Sequence, residues 1–448
     1  MYARRRNWAT IVPSEIWLDV FNYATWVPGA LDLSDLSAIN AFTSENAYTR
    51  RDIFHSTMQV NLAVSLVCKA WHSLAQEFMF RYILIESGDQ AQQLARLLDE
   101  FDRNALHNNA YYTPCRWTRR LEVSMKSWSA SWTSPHTAAL LGIRRRCTNL
   151  AIFSTAFCRV QSCYFCVSVG DILRDICADS SLRRLELKDS QIMDPSLFDI
   201  LGSSLEILYV GHSRTTSPTL KTLALRLPKL QTLITGFAVS SGRMIEWDMP
   251  SLQALSMDDE SGLKSFLARV GRHLRFLVLR NPYLLAASLL RCPDLHQVDI
   301  DFHDIQAGGP EHPFVTQLKV DAIEHTSVRC IILRNLVLPS SHESTILQHH
   351  ISSILYRISG GITFPALECV RFVPSLQIPA MQLQFRTILR SWIHSCTGNG
   401  IQVQHSHREN NCTVWRPLII DCKGDPRWSP RFLFLFTLLT VVSLASSS

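Results

Sequence analysis

The sequence predicts an α/β chain in which a small helical module precedes an irregular, horseshoe-like leucine-rich-repeat solenoid. Three observations carry that prediction. A Leu-x-x-Leu-x-Leu pattern, with conservative replacements, starts at Leu182, Leu205, Leu230, Leu252, Leu274 and Leu295. Its spacing of 21 to 25 residues lies inside the leucine-rich-repeat range. Within each copy the apolar residues alternate, as at Leu185 and Leu187, which is the period of a short strand with one buried face. Finally, Pro228, Pro250, Pro293 and Pro365 each stand two residues before a repeat leucine, where proline ends a preceding helix just ahead of a strand.

Looser copies start at Leu150, Val328 and Leu367, and Leu121 with Val123 is a candidate for an earlier strand. Helical spacing separates the copies, first at Leu220, Leu223, Ala224 and Leu227, then at Leu263, Phe266, Leu267 and Val270. One strand and one helix per repeat is the unit of a curved solenoid. The asparagine that often closes this motif is mostly missing, with Ser190 and Ser213 near its place.

A chain of 448 residues exceeds one ordinary compact core. Its 47% apolar and 18% charged residues exclude a disordered class. The net charge is only +6, and the longest basic runs are Arg4–Arg6 and Arg144–Arg146, so no nucleic-acid partner is expected. Met1 to Pro13 is basic but lacks an apolar segment behind it, so no secretory signal is read there. Thirteen cysteines without a small-scaffold spacing fit buried or free thiols in a reducing compartment, cytoplasmic and/or nuclear. The sequon Asn411-Cys412-Thr413 is then a chance occurrence.

Near the N-terminus, Pro13 can open a helix with Glu15 in its first turn. Ile16, Trp17, Val20, Phe21 and Ala24 give that helix one apolar face. After a break at Val27-Pro28-Gly29 and a polar stretch, a second helical pattern carries Leu62, Leu66, Val67, Ala70, Trp71, Leu74, Ala75 and Phe78.

These residues resemble the F-box family, in its fungal F-box-like form with leucine-rich repeats behind. Val12-Pro13-Ser14-Glu15-Ile16-Trp17 with Val20-Phe21 is similar to the opening of an F-box, and Ser65 to Trp71 with Leu74-Ala75 to its closing helices. Val12 stands where leucine is usual, and the connection from about Ala30 to Val60 is long. The resemblance implies docking to the Skp-type adaptor of a cullin ubiquitin ligase through Pro13, Ile16, Trp17, Val20, Phe21, Leu66, Val67 and Trp71. A target protein, which the sequence does not identify, would then bind the solenoid. The rival reading is a protein-binding scaffold outside any ligase.

The expected organisation is a basic tail (1–11), the F-box-like module with its long inserted loop (12–85), a linking helix and loop (86–115), the solenoid (116–375), and a C-terminal cap with an apolar tail (376–448). Ala91, Leu94, Leu97, Leu98 and Phe101 place the linking helix over Gln90–Asp102. On the solenoid's concave face the residues between buried leucines should point outward. They are Arg184, Glu186, Lys188, Tyr209, Asp258, Phe276, Arg280, Asp299, Asp301 and Arg334. Burial of these side chains would suggest a strand register one residue out.

No phosphate loop or nucleophile elbow is present, and Ile346 breaks the zinc-protease pattern that His342-Glu343 begins. No catalytic residue, cofactor or metal is therefore assigned. His349-His350, His405-Ser406-His407 and Asp258-Asp259-Glu260 read as solvated residues. Cys158, Cys163, Cys166 and Cys177 include one zinc-knuckle spacing but no second pair, and buried thiols are the preferred reading. The apolar end, Phe432 to Ala445, is shorter than a membrane span. A packed or disordered tail, a gene-model artefact and a tail anchor all remain open for it, with no membrane partner assigned.

Overall fold

The computed structural model describes residues 12–27, 30–31, 44–107, 114–124, 132–156, 170–176, 181–187, 201–211, 226–235, 247–257, 260–280, 284–302, 324–334, 355, 358, 364–373, 383–409 and 412–417. Three helices lead: α1 (Ser14–Ala24), α2 (Ser44–Ser65) and α3 (Lys69–Arg81). The strands β1 (Tyr82–Ile85), β2 (Arg120–Val123), β3 (Ile152–Ser154), β4 (Arg184–Leu187), β5 (Ile207–Val210), β6 (Thr232–Thr235) and β7 (Ala254–Met257) follow. The series continues with β8 (Phe276–Leu279), β9 (Gln297–Asp301), β10 (Cys330–Arg334), β11 (Cys369–Val373), β12 (Gln402–Glu409) and β13 (Cys412–Pro417). Further helices are α4 (Gly88–His107), α5 (Ser134–Arg146), α6 (Glu260–Val270), α7 (Leu285–Leu289) and α8 (Leu383–Gly398).

The strands form one sheet in strict sequence order, parallel from β1 to β12 and closed by an antiparallel β13. The repeat leucines set the register: Leu185, Leu208, Leu233, Leu255, Leu277, Val298, Ile331 and Val370 align across β4 to β11. All of them belong to one apolar core running along the sheet.

This α/β sheet corrects the expected architecture, because a horseshoe solenoid is not evident in it. A horseshoe leaves the strand face opposite its leucines open to solvent. Here every residue of β1, β2, β3, β4, β6, β7 and β10 is buried, so both faces of those strands are covered. On β1 the cover is apolar: Val27, Ala30 and Phe54 pack with Tyr82 and Leu84 in a second core.

The four prolines before the repeat leucines sit in tight turns. Leu230, Leu252, Leu295 and Leu367 donate their amides to the carbonyls of Leu227, Met249, Cys292 and Phe364 at 3.1–3.2 Å. Each proline thus occupies the second position of a tight turn, where its fixed φ is already correct. The predicted helices over Gln90–Asp102 and around Leu263–Val270 are present as α4 and α6. The helix read at Leu220–Leu227 lies almost wholly outside the described residues.

The sheet also continues past Phe372, where the repeat pattern fades. Trp392, Ile393, Cys396, Ile401 and Val403 extend the core, and α8 ends at a glycine cap. Gly400 has φ +76°, and Ile401 N–H donates to Cys396 carbonyl at 2.9 Å. That left-handed cap suits glycine because a Cβ would be strained there.

Candidate partner-binding surface

In α1 the amides of Ile16 and Trp17 donate to the Pro13 carbonyl at 3.2 and 3.4 Å, so proline opens the helix as expected. The Thr25 hydroxyl closes it by donating to the Phe21 carbonyl at 2.6 Å. The second helical pattern, continuous in sequence, is broken at Leu66–Cys68 into α2 and α3. Cys68 is extended there, with φ −163°. Part of the connection read as a polar stretch is helical, since α2 begins at Ser44.

An aromatic cluster fastens α1 to α3. Trp17 and Trp71 lie 4.4 Å apart, Phe21 meets Trp71 edge-on at 5.2 Å, and Phe21 meets Phe78 edge-on at 6.2 Å. Arg81 donates to Asn22 Oδ1 at 2.7 Å and to Glu77 at 2.6 Å. Phe21 is only 2% exposed, so it is core and not a docking residue, which corrects its place in the predicted surface. Trp17 and Trp71 are half-buried around it.

The remaining predicted docking residues do face solvent. Ile16 is 51% exposed and Leu66 76%, and Val20, Val67 and Pro13 are exposed too. The apolar face of α1 is therefore divided: Phe21 turns inward, while Ile16 and Val20, one helical turn apart, turn outward. Ten large apolar side chains are exposed among the described residues, and eight of them lie between Ile16 and Val67. Tyr23, Trp26, Val60 and Leu62 complete that set; as a docking group they were missed in the sequence. The exposed apolar residues are thus concentrated on one small module, which makes it the candidate surface.

This module is fixed to the sheet. Arg51 donates to Glu86 and, at 3.0 Å, to the Ser124 carbonyl, while Phe54 packs on Tyr82 at 4.5 Å. Arg120 donates to the Ala30 carbonyl at 3.2 Å.

The predicted open face of the sheet is largely closed. Arg184, Glu186, Asp299 and Arg334 are buried, correcting their assignment as exposed contacts. The register is not the cause, because the alternating leucines occupy the core as predicted. The charges instead neutralise one another. Arg120 bridges Glu122 Oε2 at 2.6 Å and Glu186 Oε2 at 2.8 Å, Arg184 pairs with Glu186 at 2.6 Å, and Tyr82 donates to Glu122 at 2.8 Å. Burial opposes the charge on Arg120, but Glu186 and Glu122 outweigh it and hold its pKa well above the usual value. Arg334 donates to both oxygens of Asp299 at 2.7 and 2.8 Å. Burial nevertheless raises the Asp299 carboxyl to about 6.

Tyr209, Phe276, Arg280 and Asp301 remain partly exposed, whereas Lys188 and Asp258 lie outside the described residues. So do Cys158, Cys163, Cys166, Cys177, His349, His350 and the apolar end. No group of three or more metal-binding side chains occurs among the described residues. Nor is any described helix long and apolar enough to cross a membrane. No family model and no curated protein matches the chain.

Proposed function

We propose that this chain is a substrate-recognition adaptor of a Skp–cullin–F-box ubiquitin ligase. The helical module docks the Skp-type adaptor, and the leucine-rich sheet region receives the target protein. One observation carries the reading: among the described residues the exposed large apolar side chains are concentrated between Ile16 and Val67, around an aromatic core that already holds the module together. Such a surface is suited to bury against a partner. On this reading the chain performs no bond chemistry. It raises the effective concentration of target at the ligase, and it works in the cytoplasm and/or nucleus.

The fixed contact between module and sheet supports the same role. With Arg51, Arg120 and Phe54 joining the two, a target on the sheet is held at a set distance from the docked adaptor. The test is a pull-down of purified full-length chain with a Skp-type adaptor. Binding at micromolar concentration is expected, and Ile16→Asp should abolish it. A charge desolvated in that contact costs on the order of several kcal/mol, well over tenfold in affinity. Wild-type chain that retains no adaptor overturns the ligase reading.

A further inference from the structure

β10 and β11 are parallel neighbours, and their register sets Cys330 directly beside Cys369. The following residues, Ile331 and Val370, belong to the main core, so both thiols stand on the opposite face of the sheet. Both cysteines are free, Cys330 buried and Cys369 partly exposed. Neighbouring strands lie about 4.8 Å apart, inside the Cα separation of about 4.4–6.8 Å that a disulfide accepts.

The surroundings divide the labour between the two sulfurs. A hydrogen bond from the Cys330 thiol lowers the Cys369 pKa, and Arg371 adds to that effect against burial and Glu368, leaving it at about 7. Cys330 is pushed up, first by that same bond and then by burial. The pair thus favours ionisation at Cys369 with a thiol alongside, which is the arrangement of a reactive dithiol.

We propose that Cys330 and Cys369 form a redox-modification site, a vicinal dithiol that a hydroperoxide converts reversibly into a cross-strand disulfide. The Cys369 thiolate attacks one peroxide oxygen, breaking the O–O bond and releasing hydroxide or alkoxide. Cys369 becomes a sulfenic acid. The Cys330 sulfur then attacks the Cys369 sulfur; the S–O bond breaks, and the oxygen departs as water with the Cys330 proton. Two thiols and one hydroperoxide give one disulfide, one water and one alcohol or second water. Two electrons pass from the sulfurs to the peroxide.

In-register parallel neighbours keep their Cβ atoms about one strand spacing apart, wider than the mean of about 3.8 Å in disulfides. A bond formed there is strained, and strained disulfides are the readily reduced ones. That favours a reversible mark over a structural cross-link.

The chain supplies its own controls. Cys115 and Cys147 also share a hydrogen bond, but both are sealed from solvent. Burial raises the thiols of Cys292 and Cys396 to about 12. Reduced full-length protein is treated with hydrogen peroxide, alkylated, digested without reductant and read by mass spectrometry. A Cys330–Cys369 peptide two hydrogens lighter should form at least about tenfold faster than any oxidation of Cys292 or Cys396, and dithiothreitol should reverse it. In Cys330→Ser the Cys369 sulfenic acid should persist and be trapped by dimedone. Absence of the linked peptide from folded wild-type protein overturns the proposal, as does equal linkage of Cys369 to other cysteines.

Discussion

Arg120 on β2 reaches past β3 to Glu186 on β4, where its guanidinium makes two hydrogen bonds of 2.8 and 3.2 Å. The intervening strand permits this because Ser154, aligned with Glu122 and Glu186, is small. A single buried cation thus ties β2 to β4 across β3 and, through the Ala30 carbonyl, ties the helical module to them.

Breaking this network should be severe. Glu186→Gln leaves Arg120 and Arg184 buried with less opposing charge, a loss of about 3–5 kcal/mol. The partly exposed pair Arg183–Glu206 gives the contrast, since Glu206→Gln should change stability by about 0–1 kcal/mol. Denaturant titration of the two variants measures the difference. Equal midpoints would mean that the buried network contributes no more than a surface pair.

The two aromatic and aliphatic residues of α1 should separate cleanly. Phe21→Ala empties a buried site between Trp71 and Phe78 and should destabilise the helical module by about 3–5 kcal/mol. Ile16→Ala removes an exposed side chain and should stay within about 0.5 kcal/mol, while weakening adaptor capture. Thermal unfolding together with the pull-down reads both. Equal destabilisation by the two substitutions would contradict the divided face of α1.

Asp299 should leave a signature in pH-dependent stability. Its carboxyl titrates near 6 in the folded chain against 3.8 in the unfolded one, because burial outweighs Arg334 and Asp301 adds repulsion. Between those values the folded chain holds a proton that the unfolded chain has released, so this group's contribution falls as pH rises from about 4 to 6. Asp299→Asn should remove that part of the slope. Stability curves of wild type and variant that run parallel across this window would show that Asp299 titrates normally.

Much of the sheet was legible in the sequence because parallel strands repeat the same leucines at the same places. Even Leu121 and Leu150, in weak copies, point to β2 and the turn before β3. The opposite face was misread because period-two alternation reports which residues avoid the core and says nothing of what covers them. One signal was available. Arg120-Leu121-Glu122 and Arg184-Leu185-Glu186 repeat one tripeptide on strands that are next neighbours but one. That placement gives each arginine a carboxylate and reduces the cost of burying it. In the helical module, spacing located α1 but could not separate Phe21 from Ile16, since both fall on one apolar stripe. Only the position of α3 decides which residue is enclosed.

The end of the sheet gives the last prediction. Repeat spacing puts the boundary at 375, yet β12 pairs with β11, and Gln402 N–H donates to the Glu368 carbonyl at 2.9 Å. Trp392 packs edge-on against Phe372 at 5.6 Å and donates its indole N–H to the Leu355 carbonyl. A chain stopped at 375 loses these partners together with Ile393, Cys396, Ile401 and Val403. It also presents β11 as an open parallel edge beside newly exposed apolar surface, a template for self-association. A chain lacking only Phe432–Ser448 keeps every one of those contacts. Size-exclusion chromatography with light scattering should therefore find the 1–375 chain aggregated and the 1–431 chain unchanged in oligomeric state and thermal midpoint. A monomeric, stable 1–375 fragment would show that α8 and β12 are dispensable to the sheet.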